Sequence, residues 1–207
     1  IPAWRWRYQK VAAVEPLLKR VAAERIVLLS SGGSDWIGGM LNADLMAAYT
    51  QADKPVLGIC LGSQLLARAY GGDNLIGGAP EFGWRSIGRT EAGKADPVLS
   101  VLPDRFLSFQ WHDDTFTLPE GAAHLAENEA ARHQAFRLGR AAYGFQFHFE
   151  ANREVVRNWM THFPEVIERK EPGWLARHPE IEPTDGHLSD EAGLTLARAW
   201  VRQIRPS

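Results

Sequence analysis

A chain of 207 residues, 45% hydrophobic and 23% charged, is long enough to bury one real core and too apolar to be disordered throughout. Its 23 basic and 25 acidic residues are well mixed and leave a formal charge of −2, which argues against nucleic acid or another polyanion as partner. A single cysteine excludes an internal disulfide and fits a reducing, cytoplasmic setting, while no signal peptide is visible and no apolar run approaches the ~20 residues of a membrane helix.

The first apolar run is "RIVLLS" (25–30), ending at Ser31-Gly32-Gly33. Its length, β-branched residues and glycine stop predict a buried strand. "PVLGIC" (55–60) repeats the pattern, and "LNADLMAAYTQAD" between them reads as a helix. Residues 61–70 are strong helix formers that stop at Gly71-Gly72. Strand, helix, strand, helix implies right-handed crossovers and a parallel sheet with helices on its faces. The middle changes character. "EFGWRSIGRT", "RFLSFQW", "TLPEGAAHLAEN" and "QAFRLG" are separated by turn-rich sequence and predict shorter, partly antiparallel strands. "AAYGFQFHFE" (141–150) is a second candidate core strand. "NREVVRNWMTHF" and "DEAGLTLARAWVRQI" read as amphipathic helices, and the proline-containing stretch 171–186 between them as an irregular surface connection. Residues 1–207 are read as one domain, with a motif block over 25–150 and a helical extension over 151–207.

Cys60 sits where an apolar strand runs straight into a helix, flanked as Gly58-Ile59-Cys60-Leu61-Gly62. A sharp strand-to-helix turn crowds its neighbours, so small residues on either side suit it. Such a turn aims the side chain out of the C-terminal edge of the sheet. Backbone N–H groups at the start of the helix then face the sulfur and any oxyanion formed beside it. The same placement favours the thiolate, which is the nucleophile. The competing reading is a small buried hydrophobe.

A thiol nucleophile needs a base, and the base needs an orienting group. Of seven histidines, His148 is followed at i+2 by Glu150. On a strand the two share a face, with Phe147 and Phe149 on the other. A carboxylate beside an imidazole fixes its tautomer and supports its charged form. A surface His–Glu pair is the alternative. A metal site from His112, Asp113, Asp114, His148 and Glu150 is a further one, but no metal-binding spacing supports it. No metal and no other cofactor are expected.

With these three residues placed, the sequence resembles a class I glutamine amidotransferase, in the branch similar to the glutaminase domain of GMP synthetase. "PVLGICLGSQLLA" looks like the family's nucleophile segment, and "YGFQFHFE" like its G-x-Q-F-H-P-E segment with Phe149 in place of proline. "LLSSGG", "EFGW" and "QWHDDTFTLPEGA" follow further family segments in order, with Ser34-Asp35 and Asp113 as departures. The resemblance implies a three-layer α/β/α, flavodoxin-like fold with an open, mostly parallel sheet and the cysteine elbow at its edge. It implies Cys60 as nucleophile, His148 as general base and acid, and Glu150 as its orienting group. Gly33 and Leu61 N–H groups would form the oxyanion hole. Gln64, the residues around Gly32, and His112 and Asp114 would contact or border the glutamine. The family begins with more strand and helix than about thirty residues before Gly32 provide. Two readings are open: "AWRWRYQKV" is the second strand and the first is absent from the numbering, or the N-terminal sheet is rebuilt.

Three functions compete. One is a glutaminase that hands ammonia to a synthase. About fifty-five residues after 150 hold no synthase domain, so that partner is expected on a separate chain. Another is a stand-alone γ-glutamyl hydrolase, with a homodimer as one form of it. The last is a catalytically silent scaffold that binds a metabolite or partner. Eight tryptophans, with Trp4, Trp6, Trp174 and Trp200 outside the motif block, hint at a contact surface.

Overall fold

The computed structural model describes residues 29–30 and 36–204. The segment "AWRWRYQKV", most of "RIVLLS", Gly32, Gly33, Ser34 and Asp35 lie outside the described residues. Strand β1 (Leu29–Ser30) and helix α1 (Trp36–Gln51) lead to β2 (Val56–Ile59) and α2 (Leu61–Ala69). Then come β3 (Asn74–Leu75), β4 (Glu81–Arg89), the short helix α3 (Glu91–Ala95) and β5 (Arg105–His112). β6 (Thr115–Phe116), β7 (Ala123–Glu127), β8 (Ala135–Leu138) and β9 (Ala142–Phe145) complete the strands described. Helices α4 (Arg153–His162), α5 (Pro164–Lys170), α6 (Trp174–Ile181) and α7 (His187–Val201) follow, with a π-helical turn over Glu182–Gly186 before α7.

Seven strands form one sheet in the order β1-β2-β9-β8-β7-β4-β5. β1, β2 and β9 run parallel, and the arm from β9 through β8, β7 and β4 to β5 is antiparallel. The α/β class, the parallel strands around the cysteine and the antiparallel strands of the middle are as the sequence predicts, but β4 and β5 of that middle, with 9 and 8 residues, are longer than β2 and β9 with 4 each, not shorter.

The alternation of β2 decides what lies on each face. Leu57 and Ile59 join Tyr143 and Phe145 of β9, and Leu196, Ala199 and Trp200 of α7 cover them. Val56 and Ala142 point the other way, into a cluster with Met46 of α1 and Leu65 and Leu66 of α2. On that second face Gly58 and Gly144 stand opposite each other in the register. A Cβ on Gly58 would lie 2.4 Å from the Gly62 carbonyl oxygen. The bare backbone is therefore what allows the first turn of α2 to pass so close over β2.

Two further sequence expectations are corrected. The stretch 171–186 is helical from Trp174 onward rather than irregular, despite Pro179 inside α6. The proline signal loses to burial: Trp174 and His178 are 3% and 4% exposed. Trp174 packs edge-on to Phe82 and sits beside Trp84, in a cluster roofed by α4, α5 and α6. Trp174 and Trp200 are both buried and so supply no contact surface; Trp4 and Trp6 lie outside the described residues. The second correction is that β9 ends at Phe145, short of His148. Beyond it the chain crosses the sheet: Gln146 N–H donates to the Gln134 carbonyl at 2.8 Å, and His148 N–H to the Phe109 carbonyl at 2.8 Å.

Candidate active site

Cys60 caps the N-terminus of α2 with φ 51° and ψ −110°, a conformation costly for any residue with a Cβ. Backbone bonds hold it there. Its N–H donates to the Phe145 carbonyl at 2.8 Å, and its carbonyl accepts from Ser63 and Gln64 N–H groups at 3.0 and 3.3 Å. The Ser63 hydroxyl donates to the same carbonyl at 2.7 Å. Leu61 is the first residue of α2, so its N–H has no acceptor within the helix and is free to face an anion beside the sulfur. Gly33, the other expected donor, and Gly32 lie outside the described residues.

His148 and Glu150 meet as predicted, but through a turn rather than a continuous strand. His148 Nδ1 lies 2.6 Å from Glu150 Oε1. With Nδ1 committed, Nε2 is the ring nitrogen left for Cys60, whose sulfur acts on the imidazole. Burial acts on His148 to lower its pKa. The hydrogen bond with Cys60, and the hydrogen bond with and charge of Glu150, outweigh that and push it up to about 10. The edge of Trp159, from α4, packs against the ring with centroids 5.7 Å apart.

Gln64 is buried beside the sulfur. Its amide nitrogen lies 3.2 Å from Gln146 Oε1 and 3.4 Å from the Asp114 carbonyl. The Gln146 amide nitrogen in turn lies 3.8 Å from Cys60 Sγ. Asp114 thus touches the site through its backbone, and its carboxylate accepts from Gly77 N–H at 2.8 Å. The His112 side chain is 2% exposed and faces inward: Nδ1 is 3.0 Å from the Asp114 carbonyl, and Nε2 is 3.1 Å from Gln110 and 3.2 Å from Glu81. Glu81 also accepts from Asn128 and Gln134, each at 2.6 Å. His112 therefore shapes the loop beside Gln64 from below. From α5, Lys170 reaches back to the His112 carbonyl at 3.2 Å and to the Asp113 carboxylate.

The sequence does not single out Gln146, Trp159 or Lys170. Gln146 stands in the "GFQFHFE" stretch, two residues before His148, so its position is a signal. Trp159 and Lys170 lie in the C-terminal extension, and nothing in a helical pattern says which site a helix will cover. A cavity of about 640 Å³ is lined by Glu81, Arg85, Arg105, Asn128, Arg169 and Lys170 among others, but by none of Cys60, His148 and Glu150. Among the described residues no helix is long and apolar enough to cross a membrane, and no three His, Cys, Asp or Glu side chains are grouped to hold a metal ion.

Known proteins carry related chains. A GMP synthase (glutamine-hydrolysing) of Aeropyrum pernix is 35% identical over 145 residues, covering 67% of this chain and 27% of the relative. The chain thus spans about a quarter of that relative's length. One subunit of the glutamine-hydrolysing GMP synthase of Methanosarcina barkeri is 32% identical over 158 residues, 74% of this chain and 80% of the relative. The crystal structure of a glutamine amidotransferase from Thermotoga maritima superposes with a TM-score of 0.71 at 26% identity, covering 87% of this chain and 78% of that one. The family model described as "Glutamine amidotransferase class-I" matches residues 5–163. With the match running through both the cysteine turn and the histidine segment, the chain belongs to the class I glutamine amidotransferases.

Proposed function

We propose that the chain hydrolyses glutamine to glutamate and ammonia through a Cys60–His148–Glu150 triad. The observation that carries this reading is the strained Cys60 at the start of α2, whose sulfur acts on the imidazole of His148, with the Glu150 carboxylate on the far ring nitrogen. In the first half-reaction the Cys60 thiolate attacks the γ-carboxamide carbon of glutamine. The oxyanion accepts from the N–H groups of Leu61 and Gly33. The His148 imidazolium gives its proton to the departing nitrogen, ammonia leaves, and a γ-glutamyl thioester remains. Water then attacks the thioester carbon while His148 takes its proton. Glutamate leaves, and the thiolate–imidazolium pair is restored. Glu150 keeps the imidazole aligned through both steps. Gln64, Gly32 and the His112–Asp114 loop border the bound glutamine.

The destination of the ammonia is a separate synthase chain. The Methanosarcina relative, aligned over most of its own length, is named as one subunit of a GMP synthase, which supports that arrangement. The test is steady-state hydrolysis of glutamine and of γ-glutamyl dipeptides by the purified chain, alone and with a GMP synthase subunit lacking its own glutaminase. Glutamine turnover that rises when the synthase is added is expected. Faster turnover of γ-glutamyl dipeptides than of glutamine would replace the ammonia-donor reading with a stand-alone hydrolase. Absence of turnover on every substrate in both settings would overturn the enzyme reading.

A further inference from the structure

We infer that Gln146 is a further catalytic residue, a hydrogen-bond donor aimed at the Cys60 sulfur and held in that orientation by a relay that begins at the Asp114 carbonyl. The inference rests on the reading of Cys60 as the nucleophile. The Asp114 carbonyl can only accept, so the Gln64 end facing it must be the NH₂ group. That same NH₂ faces the Gln146 side chain at 3.2 Å, so the Gln146 end turned toward it must be the carbonyl oxygen. The Gln146 NH₂ is then left pointing at Cys60 Sγ, 3.8 Å away. Gln146 is fully buried, and its own N–H is tied to the Gln134 carbonyl. No water can substitute for the donor, and the side chain cannot swing aside without leaving buried amide groups unpaired.

A donor at this place acts on the anion. A thiolate accepts from an amide NH₂ far better than a neutral thiol does, and so does the sulfur as it regains charge when the thioester breaks. Charge on the sulfur is therefore shared between two neighbours: the imidazolium of His148, which also moves the proton, and Gln146, which has no proton to give. Among the described residues, the titratable groups that act on Cys60 are His148 and, through it, Glu150.

Cys60 is the only cysteine of the chain, so alkylation by iodoacetamide reads one sulfur and requires no glutamine turnover. The rate is measured against pH for the parent chain, Gln146→Met and Gln64→Leu, with circular dichroism confirming the fold. In Gln146→Met the midpoint of the curve should move up by about one pH unit, and at any pH below the parent's midpoint the rate should fall about tenfold. Gln64→Leu releases the orientation of Gln146 and should move the midpoint the same way, with about a threefold fall. An unmoved midpoint in both variants would overturn the proposal. So would a rate scaled equally at every pH, which is what altered packing alone produces. Movement in Gln146→Met but not in Gln64→Leu would keep the donor and overturn the relay. If Gln146→Met does not fold, the midpoint in Gln64→Leu decides alone. Normal alkylation behaviour in a chain that never hydrolyses glutamine would count against the glutaminase reading and leave this one standing.

Discussion

Around Cys60 the restraints on position are, apart from the Ser63 hydroxyl on its carbonyl, main-chain ones: a positive φ, an N–H given to Phe145, a carbonyl shared by the first turn of α2, and a glycine where a methyl would strike the Gly62 carbonyl. Around His148 side chains take a larger part: the Glu150 carboxylate on one ring nitrogen and the Trp159 ring beside the imidazole, with two backbone bonds, its N–H to the Phe109 carbonyl and its carbonyl from the Ala151 N–H. A group held by backbone geometry has few ways to be slightly wrong, because any change that disturbs it disturbs the turn. A group held by side chains can lose one support and keep the others. Substitutions on the cysteine side should therefore act in an all-or-none manner, and those on the histidine side by degrees.

The largest effect tests the nucleophile itself. Cys60→Ala should lower turnover by at least ~10³-fold. The fold should survive, because alanine meets the same steric cost at φ 51° as cysteine does. Labelling by 6-diazo-5-oxonorleucine should disappear with the sulfur, and activity retained in the folded variant would dissolve the comparison altogether. Next comes Gly58→Ala, which leaves every reacting group in place. With a Cβ 2.4 Å from the Gly62 oxygen, it should cost about 3 kcal/mol in urea unfolding and about 100-fold in kcat. A mild loss in either would show that the turn has slack and that the contrast is overstated.

On the histidine side the expectation is graded. Glu150→Gln removes the charge and keeps the shape, so kcat should fall about thirtyfold with KM within about twofold. His148→Ala should cost more. Equal losses in the two variants would mean that the histidine side is as brittle as the cysteine side. The smallest effect concerns stability. His148 is protonated up to about pH 10 in the folded chain, against about 6.5 in an unfolded one. Between those values the folded chain binds more protons, so this contribution is complete below about pH 6.5 and is lost as pH rises through 10. Urea unfolding at pH 7, 8 and 9 should show stability falling, with a shallower slope in Cys60→Ala, where the influence of the sulfur on His148 is gone. A slope unchanged by that substitution would mean that the two sides do not support each other.

The same division explains what the sequence reveals. Gly58, Cys60 and Gly62 are adjacent in the chain, and the turn they make is a local event, so the apolar run, the glycines and the helix formers together announce it. His148 and Glu150 are legible as a pair for the same reason, although the strand expected to carry them stops at Phe145. Their meeting survives because a turn two residues long also brings i and i+2 together. What stays hidden is non-local. Whether His112 lines a substrate site or is buried against Glu81 depends on β4 and β5 lying side by side, with Glu81 opposite His112 in the register. Stretch 171–186 reads as loop because proline is a local breaker, whereas Trp174 is anchored by Phe82 and Trp84 from a strand far earlier in the chain. Gln146 is visible as a letter and not as a donor, since the direction of an amide is set only by what stands at both of its ends.

The crossing of the chain between β2 and β9 also governs when the site comes into being. β2 pairs directly with β9, Val56 opposite Ala142, and the whole antiparallel arm is inserted between them. Cys60 and Gln146 stand 86 positions apart. On a ribosome, Cys60 emerges long before the strand that receives its N–H has been made. Until Phe145 arrives, the positive φ is held only by the bonds from the first turn of α2 to the Cys60 carbonyl, and the sulfur has neither imidazole nor amide beside it. Closing so long a loop is a late event in folding. The neighbours that surround the sulfur in the folded chain are thus withheld through synthesis, until β9 docks beside β2.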